Sequence, residues 1–174
     1  DQQAREKSTL SVKNLVLYYL DWHNLLHPFW RRAPFWLRRK LIWMGTSKFL
    51  VGVACLCLNS DNKMLLLEHR FHNEIPWGFP GGWVDSGEEP LTAAMREVRE
   101  ETGLEPFDAK LISAGGDGNW INIIYVCRVH DGEPTIQTSE LISSRWVDPS
   151  NFDVELMPEQ AEAVNLLIAS WEEN

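Results

Sequence analysis

Cysteine is scarce, with three among 174 residues, and Cys55, Cys57 and Cys127 follow no spacing used by metal sites. All three sit in apolar, strand-like runs, where cysteine behaves as a small hydrophobe. An odd count without a disulfide framework fits a reducing compartment, most simply a cytoplasm. Long apolar runs are missing too. The longest, such as Leu15–Leu20, are far too short to cross a bilayer. There is no internal repeat and no low-complexity tract. With 44% hydrophobic and 24% charged residues, the composition excludes disorder, collagen and coiled coil. The chain opens on Asp1 rather than methionine, which leaves room for a preceding segment, a cleaved leader included.

Acid is also missing from one long stretch. Between Trp22 and Ser60 there is no Asp or Glu, while Arg31, Arg32, Arg38, Arg39, Lys40 and Lys48 give +6. Residues 1–21 are neutral, so residues 61–174 carry −15, from 22 acidic and seven basic side chains. The overall −9 speaks against nucleic acid as a main partner, and the asymmetry suggests parts with different jobs. What is abundant is tryptophan. Four of the nine (Trp22, Trp30, Trp36, Trp43) fall in the same basic stretch.

The length suits one domain with an extension. Leu15, Tyr19, Trp22 and Leu26 recur with a helical period. Pro34 suits the first turn of a second short helix carrying Leu37, Leu41 and Met44 and closed by Gly45. Residues 1–46 therefore read as a helical, aromatic and basic arm, and 47–174 as the main domain. Within it, Phe49–Leu58 and Lys63–His69 read as a hairpin around Asn59-Ser60-Asp61-Asn62. Pro76–Gly87 reads as loop. Pro90–Thr102 is a helix started by proline and stopped by Gly103. Strands are expected at 109–114, 120–129 and 143–147, with Gly115-Gly116-Asp117-Gly118 as a turn. A last helix, Pro158–Trp171, gathers Ala161, Val164, Leu167, Ile168 and Trp171 on one side. This order argues for an α/β sandwich.

The helix at 90–102 carries the chemistry. Glu97, Glu100 and Glu101 are spaced i, i+3, i+4 and share a face, while Leu91, Met95 and Val98 point away from it. Like charges at that spacing repel, and a hard divalent cation relieves the repulsion; all-oxygen ligands suit Mg²⁺ or Mn²⁺. Glu88 approaches from the loop and can join or brace the cluster. Arg96 and Arg99 are expected outside the acidic face, where they could orient carboxylates. An isolated acidic face of this kind is usually just solvated. Its surroundings overturn that here.

Gly82, five residues, Glu88, seven residues, then Arg96-Glu97-Val98-Arg99-Glu100-Glu101-Thr102-Gly103-Leu104 resembles the complete signature of the Nudix hydrolases, with no position departing from it. The resemblance is tight over Gly82–Leu104 and looser over about 48–172. It implies a three-layer α/β/α sandwich with a mixed sheet. It implies a divalent metal and cleavage of a pyrophosphate bond in a nucleoside diphosphate linked to another group. By the same resemblance Glu97, Glu100 and Glu101 bind metal, the Gly81 carbonyl joins them, and Glu88 is the loop glutamate. The family's base varies, and Glu97 and Glu100 are the candidates here, with Arg96 beside them. Glu140 resembles a downstream glutamate that some members use as ligand or base, a solvated loop carboxylate being the alternative. Arg70 resembles an arginine that contacts substrate phosphate, against an ordinary surface arginine.

Trp77, Phe79 and Trp120 could stack on a base, although each is more often core. Signatures of ADP-sugar, NADH and coenzyme A hydrolases are absent, so a small-molecule nucleotide is expected without its second half being specified. A hydrolase of damaged nucleoside triphosphates and a non-catalytic nucleotide-binding module are the alternatives. For residues 15–46, three readings stand: peripheral membrane contact, a homodimer or partner arm, and internal packing against the acidic part.

Overall fold

In the computed structural model of the chain, the structure describes residues 31–172 apart from Asn73 and Asp131. The helix expected from Leu15 lies outside these residues. The chain divides into two compact units between Ser47 and Lys48. In the first, helix α1 (Phe35–Gly45) has Pro34 as its N-cap, one position earlier than expected, with extended φ/ψ of −57°/150°. Proline's fixed φ and missing N–H cost nothing there, and its carbonyl accepts from the amides of Leu37 and Arg38. Thr46, also extended, ends the helix after Gly45.

The second unit is built around alternation in its first two strands. Along β1 (Leu50–Leu58) and β2 (Met64–His69), Cys55, Cys57, Leu65 and Leu67 join one apolar cluster, and Leu56, Leu58, Met64 and Leu66 join another. Side chains on a strand alternate between faces, so a run apolar on both sides must be covered on both sides. Val98 of helix α2 (Pro90–Thr102) belongs to the first cluster. Ala163, Val164 and Leu167 of helix α3 (Pro158–Glu172) belong to the second. The result is three layers, helix–sheet–helix.

The remaining strands are β3 (Trp77–Gly78), β4 (Gly81–Trp83), β5 (Pro106–Asp117), β6 (Trp120–Val129) and β7 (Leu141–Val147). The seven-stranded sheet runs β3-β2-β1-β6-β5, with β4 on β1 and β7 on β2. It is mixed: β1 and β6 are parallel from Leu50↔Trp120 to Leu58↔Arg128, and the other pairs are antiparallel.

Four local expectations are corrected. The hairpin of β1 and β2 is paired only at Leu58↔Met64, because β1 takes β6 and β4 as partners while β2 takes β7 and β3. The loop expected at 76–87 contains β3 and β4. The turn expected at Gly115–Gly118 is shorter: β5 runs to Asp117, and a two-residue connection, Gly118-Asn119, makes the reversal. Gly118 has φ +57°, the left-handed value such tight hairpins require. On α2, Leu91 is exposed, and Ala93, Ala94, Val98 and Thr102 are the residues buried. Alanines let the helix lie close to the sheet. Pro90 opens α2, and Gly103 at φ +69° closes it by donating its amide to the Arg99 carbonyl. Among the described residues no helix is long and apolar enough to cross a membrane.

Candidate active site

The short strand β4 and helix α2 bring the acidic residues to one place. Two glycines make this close approach possible. A side chain on Gly81 would run into the Val53 carbonyl and the Ala54 backbone, and one on Gly82 would run into the Glu97 carboxylate. With neither side chain present, the Gly81 amide donates to Glu101 Oε2 at 2.9 Å. This fixes the inner carboxylate against the edge of the sheet.

Glu101 is the most perturbed acid of the group. Burial raises it from 4.5 to about 8, with Glu97, Glu140 and Glu100 adding repulsion and the Gly81 hydrogen bond pulling the other way. Glu140, from the loop before β7, is therefore part of the same field, and it lines the same cleft.

Arg96 was expected outside the acidic face, yet its guanidinium reaches into the cluster. It grips Glu88 with a fork, Nε to Oε1 and Nη2 to Oε2, both at 3.0 Å. Its Nη1 donates to Glu97 at 2.8 Å and to Glu100 at 3.2 Å, and its Nη2 to the Trp83 carbonyl at 3.2 Å. The pairing holds Glu88 below the usual carboxylate range and pushes Arg96 above the ordinary arginine value. Both Glu88 oxygens are thus committed to Arg96, and in this geometry Glu88 braces the cluster. Arg99 leaves the cluster to pair with Glu105 at 2.7 Å.

One guanidinium among Glu88, Glu97, Glu100, Glu101 and Glu140 leaves a large negative excess. Glu97 is 15% accessible and Glu100 57%, so Glu100 is the more open of these two. The glutamate oxygens do not converge on one compact point, because Arg96 holds Glu97 and Glu100 to its own side. An all-oxygen donor set with uncompensated charge fits a hard divalent cation that keeps several waters of its own. Glu97, Glu100, Glu101 and Glu140 are the residues able to hold one.

The cleft above this cluster has a volume of about 850 Å³, within the range of nucleotide-sized sites. Arg70 does not line it. Its Nε donates to the Ser139 carbonyl at 2.9 Å and its amide to the Glu140 carbonyl at 2.8 Å. Arg70 therefore ties down the loop that carries Glu140. Trp77 lines the cleft and carries the Arg145 guanidinium 4.4 Å from its ring centroid. Phe79 is core, 2% exposed. Trp83 and Trp120 pack on each other at a centroid distance of 5.0 Å.

Sequence reasoning missed the other polar residues that line the cleft, Asn122, Glu159 and Gln160. Asn122 donates to Glu159 at 3.2 Å, and Gln160 accepts the Phe79 amide at 3.1 Å. One signal was readable: Asn122 is a lone amide in W-I-N-I-I-Y-V, a strand otherwise apolar there. Glu159 and Gln160 carry no such mark. His69 and His72 stack at 4.7 Å. His69 is held down to about 4, by burial first and then by His72, so it is neutral near pH 7.

The profile of the NUDIX domain matches residues 48–167. The chain belongs to the Nudix family. This Nudix chain is 41% identical over 71 residues to an RNA pyrophosphohydrolase of Francisella tularensis subsp. mediasiatica, covering 41% of this chain and 44% of that protein. It is 33% identical over 113 residues to the nucleoside diphosphate-linked moiety X motif 6 protein of Xenopus laevis, covering 60% of this chain and 52% of that one. The chain thus spans about half the length of these relatives.

The fold is shared with solved Nudix structures. A MutT NUDIX hydrolase from Burkholderia pseudomallei superposes with TM-score 0.62 at 24% identity, over 70% of this chain and 99% of that one. The NUDIX domain of Shewanella oneidensis NrtR, solved with ADP ribose, gives TM-score 0.64 at 18% identity, over 74% and 92%. The expected three-layer Nudix sandwich with a mixed sheet is the fold observed.

Proposed function

We propose that this chain is a divalent-metal-dependent pyrophosphohydrolase that cuts a phosphoric anhydride in a nucleoside diphosphate linked to a second group. The observation that carries this is the buried Glu101, pinned by the Gly81 amide and raised to about 8 among Glu97, Glu100 and Glu140. Nothing in a merely solvated acidic face requires a carboxylate so buried and so crowded. Clefts lined by groups perturbed in this way are where chemistry is placed.

In this reading Glu97, Glu100 and Glu101 hold Mg²⁺ or Mn²⁺, with Glu140 and the Gly81 carbonyl beside them. The metal, when bound, neutralises phosphoryl oxygens and lowers the pKa of an attacking water. Glu100, more open than Glu97, takes the water's proton. Arg96 keeps Glu97 and Glu100 in position from behind, braced in turn by Glu88. Arg70 holds the loop that presents Glu140. Asn122, Glu159 and Gln160 face the rest of the substrate across the cleft, where paired amides and carboxylates can read the polar edge of a base.

A second substrate is favoured by the likeness to proteins named RNA pyrophosphohydrolase: the 5′-triphosphate end of an RNA. The −15 carried by residues 61–174 works against grip on a long polyanion, so the small nucleotide is the primary reading.

A panel with Mg²⁺ tests both. It contains nucleotide sugars, dinucleotides, nucleotide alcohols, nucleoside triphosphates and a 5′-triphosphorylated RNA, with products located by mass spectrometry. Turnover of a nucleoside diphosphate derivative, lost with EDTA and restored by Mg²⁺ or Mn²⁺, is the expected result. Turnover of the RNA alone favours the second substrate. Turnover of nothing across the panel contradicts the proposal and leaves a binding module.

A further inference from the structure

Away from the cleft, the fold unites the three cysteines that are dispersed in the sequence. Cys55 and Cys57 are two apart on β1 and so point to the same face of the sheet. Cys127 on β6 is the register partner of Cys57 in the parallel pair. All three belong to one apolar cluster, and their exposures are 0%, 0% and 1%. The three sulfurs lie within 4.8 Å of one another, with Cys127 Sγ and Cys57 Sγ at 3.5 Å.

From this geometry we propose that Cys55, Cys57 and Cys127 form a trigonal thiolate site for a soft monovalent cation, copper(I).

A metal at about 2.3 Å from each of three coplanar sulfurs sets them about 4 Å apart. The observed separations, 3.5 Å for Cys127–Cys57 and no more than 4.8 Å for the others, bracket that value, so the triad takes a central ion with side-chain adjustments of under about an ångström. Ligand softness then selects the metal. Thiolates favour copper(I), zinc and iron–sulfur centres, but structural zinc is four-coordinate. Among the described residues no fourth His, Cys, Asp or Glu joins this group. The surroundings are apolar, from Leu65, Leu67, Val98 and Leu104, which gives a hard or strongly hydrated ion nothing to replace its water. Copper(I) is stable with three sulfurs and no water.

Binding forms three Cu–S bonds, displaces up to three S–H protons to solvent and leaves copper in its monovalent state.

The site is independent of the hydrolytic reading. It lies on the sheet face covered by α2, and the Cys55 amide donates to the Pro80 carbonyl just before Gly81. Neither contact uses a carboxylate of the cleft.

The test takes the full chain, reduced and kept without oxygen. Copper(I) is supplied as its acetonitrile complex, both to native protein and to protein refolded in its presence, against a chromophoric copper(I) chelator. One copper per chain retained, with an X-ray absorption spectrum fitted by three sulfurs at one short distance, is the expected result. Zn²⁺ in the same competition is not retained by the thiols. Cys127→Ala, folded by circular dichroism, weakens copper retention by about 100-fold or more. No retention in either preparation overturns the site, as does undiminished retention when all three cysteines are replaced. Should the variants fail to fold, the wild-type spectrum decides: nitrogen or oxygen scatterers, or fewer than three sulfurs, overturn it.

Discussion

Glu101→Gln is expected to lower kcat/KM by about 10³-fold or more while raising, or leaving unchanged, the melting temperature of the metal-free protein at pH 8. The two effects have one origin. Glutamine keeps an oxygen to accept the Gly81 amide, so the hydrogen bond that locates the side chain survives. What it loses is negative charge at the place where Glu97, Glu140 and Glu100 each repel it. The sign of the pH dependence follows. In the unfolded chain Glu101 gives up its proton near 4.5, and in the folded one near 8, so between those values the folded state holds a proton that the unfolded state has released. Metal-free stability therefore falls as pH rises through this window, and the variant lacks that contribution. Thermal unfolding in EDTA at pH 5, 6.5 and 8, with kcat/KM in Mg²⁺, checks both halves. A variant that is inactive and also much less stable at pH 8 would mean that Glu101 is structural.

The second large effect separates the two neighbouring glycines. Gly81→Ala places a methyl group against the Val53 carbonyl and the Ala54 backbone, neither of which can yield without breaking the β4–β1 pairing. Destabilisation of about 2–4 kcal/mol is expected, with activity lost alongside. Gly82→Ala instead meets the end of the Glu97 side chain, which can swing aside. Stability should stay within about 1 kcal/mol of the parent, while kcat falls roughly 10²-fold because a carboxylate has moved by about an ångström. Thermal melts and initial rates on both variants decide it. Equal stability in the two would remove the steric argument.

What could be read in the sequence divides along a physical line. Helix α2, its Pro90 start and its Gly103 stop follow from local rules about missing amides and positive φ. The covering of the sheet on both faces follows from apolar runs with no polar alternate. The acidic face was legible because three glutamates at i, i+3, i+4 must share a side of a helix. Arg96 was misplaced because the length and reach of a guanidinium are not fixed by helical position: it bridges Glu88 on the loop, Glu97 beside it and Glu100 one turn on. The hairpin of β1 and β2 was legible as a reversal at Asn59, whose side chain accepts the amides of Asp61 and Lys63. Its partners were not, since pairing with β6 and β7 is set by contacts some seventy residues away. The same long-range parallel pairing hid the cysteine triad and set Asn122 beside Gly52.

Binding of a divalent cation at the glutamate cluster is the central claim, and Mn²⁺ reports on it directly. In electron paramagnetic resonance titrations the wild-type chain should take up Mn²⁺ with loss of the free-ion signal, displaceable by Mg²⁺. The folded Glu101→Gln protein should bind at least about tenfold more weakly. Equal Mn²⁺ binding by the two proteins, or none by the wild type, would contradict the account.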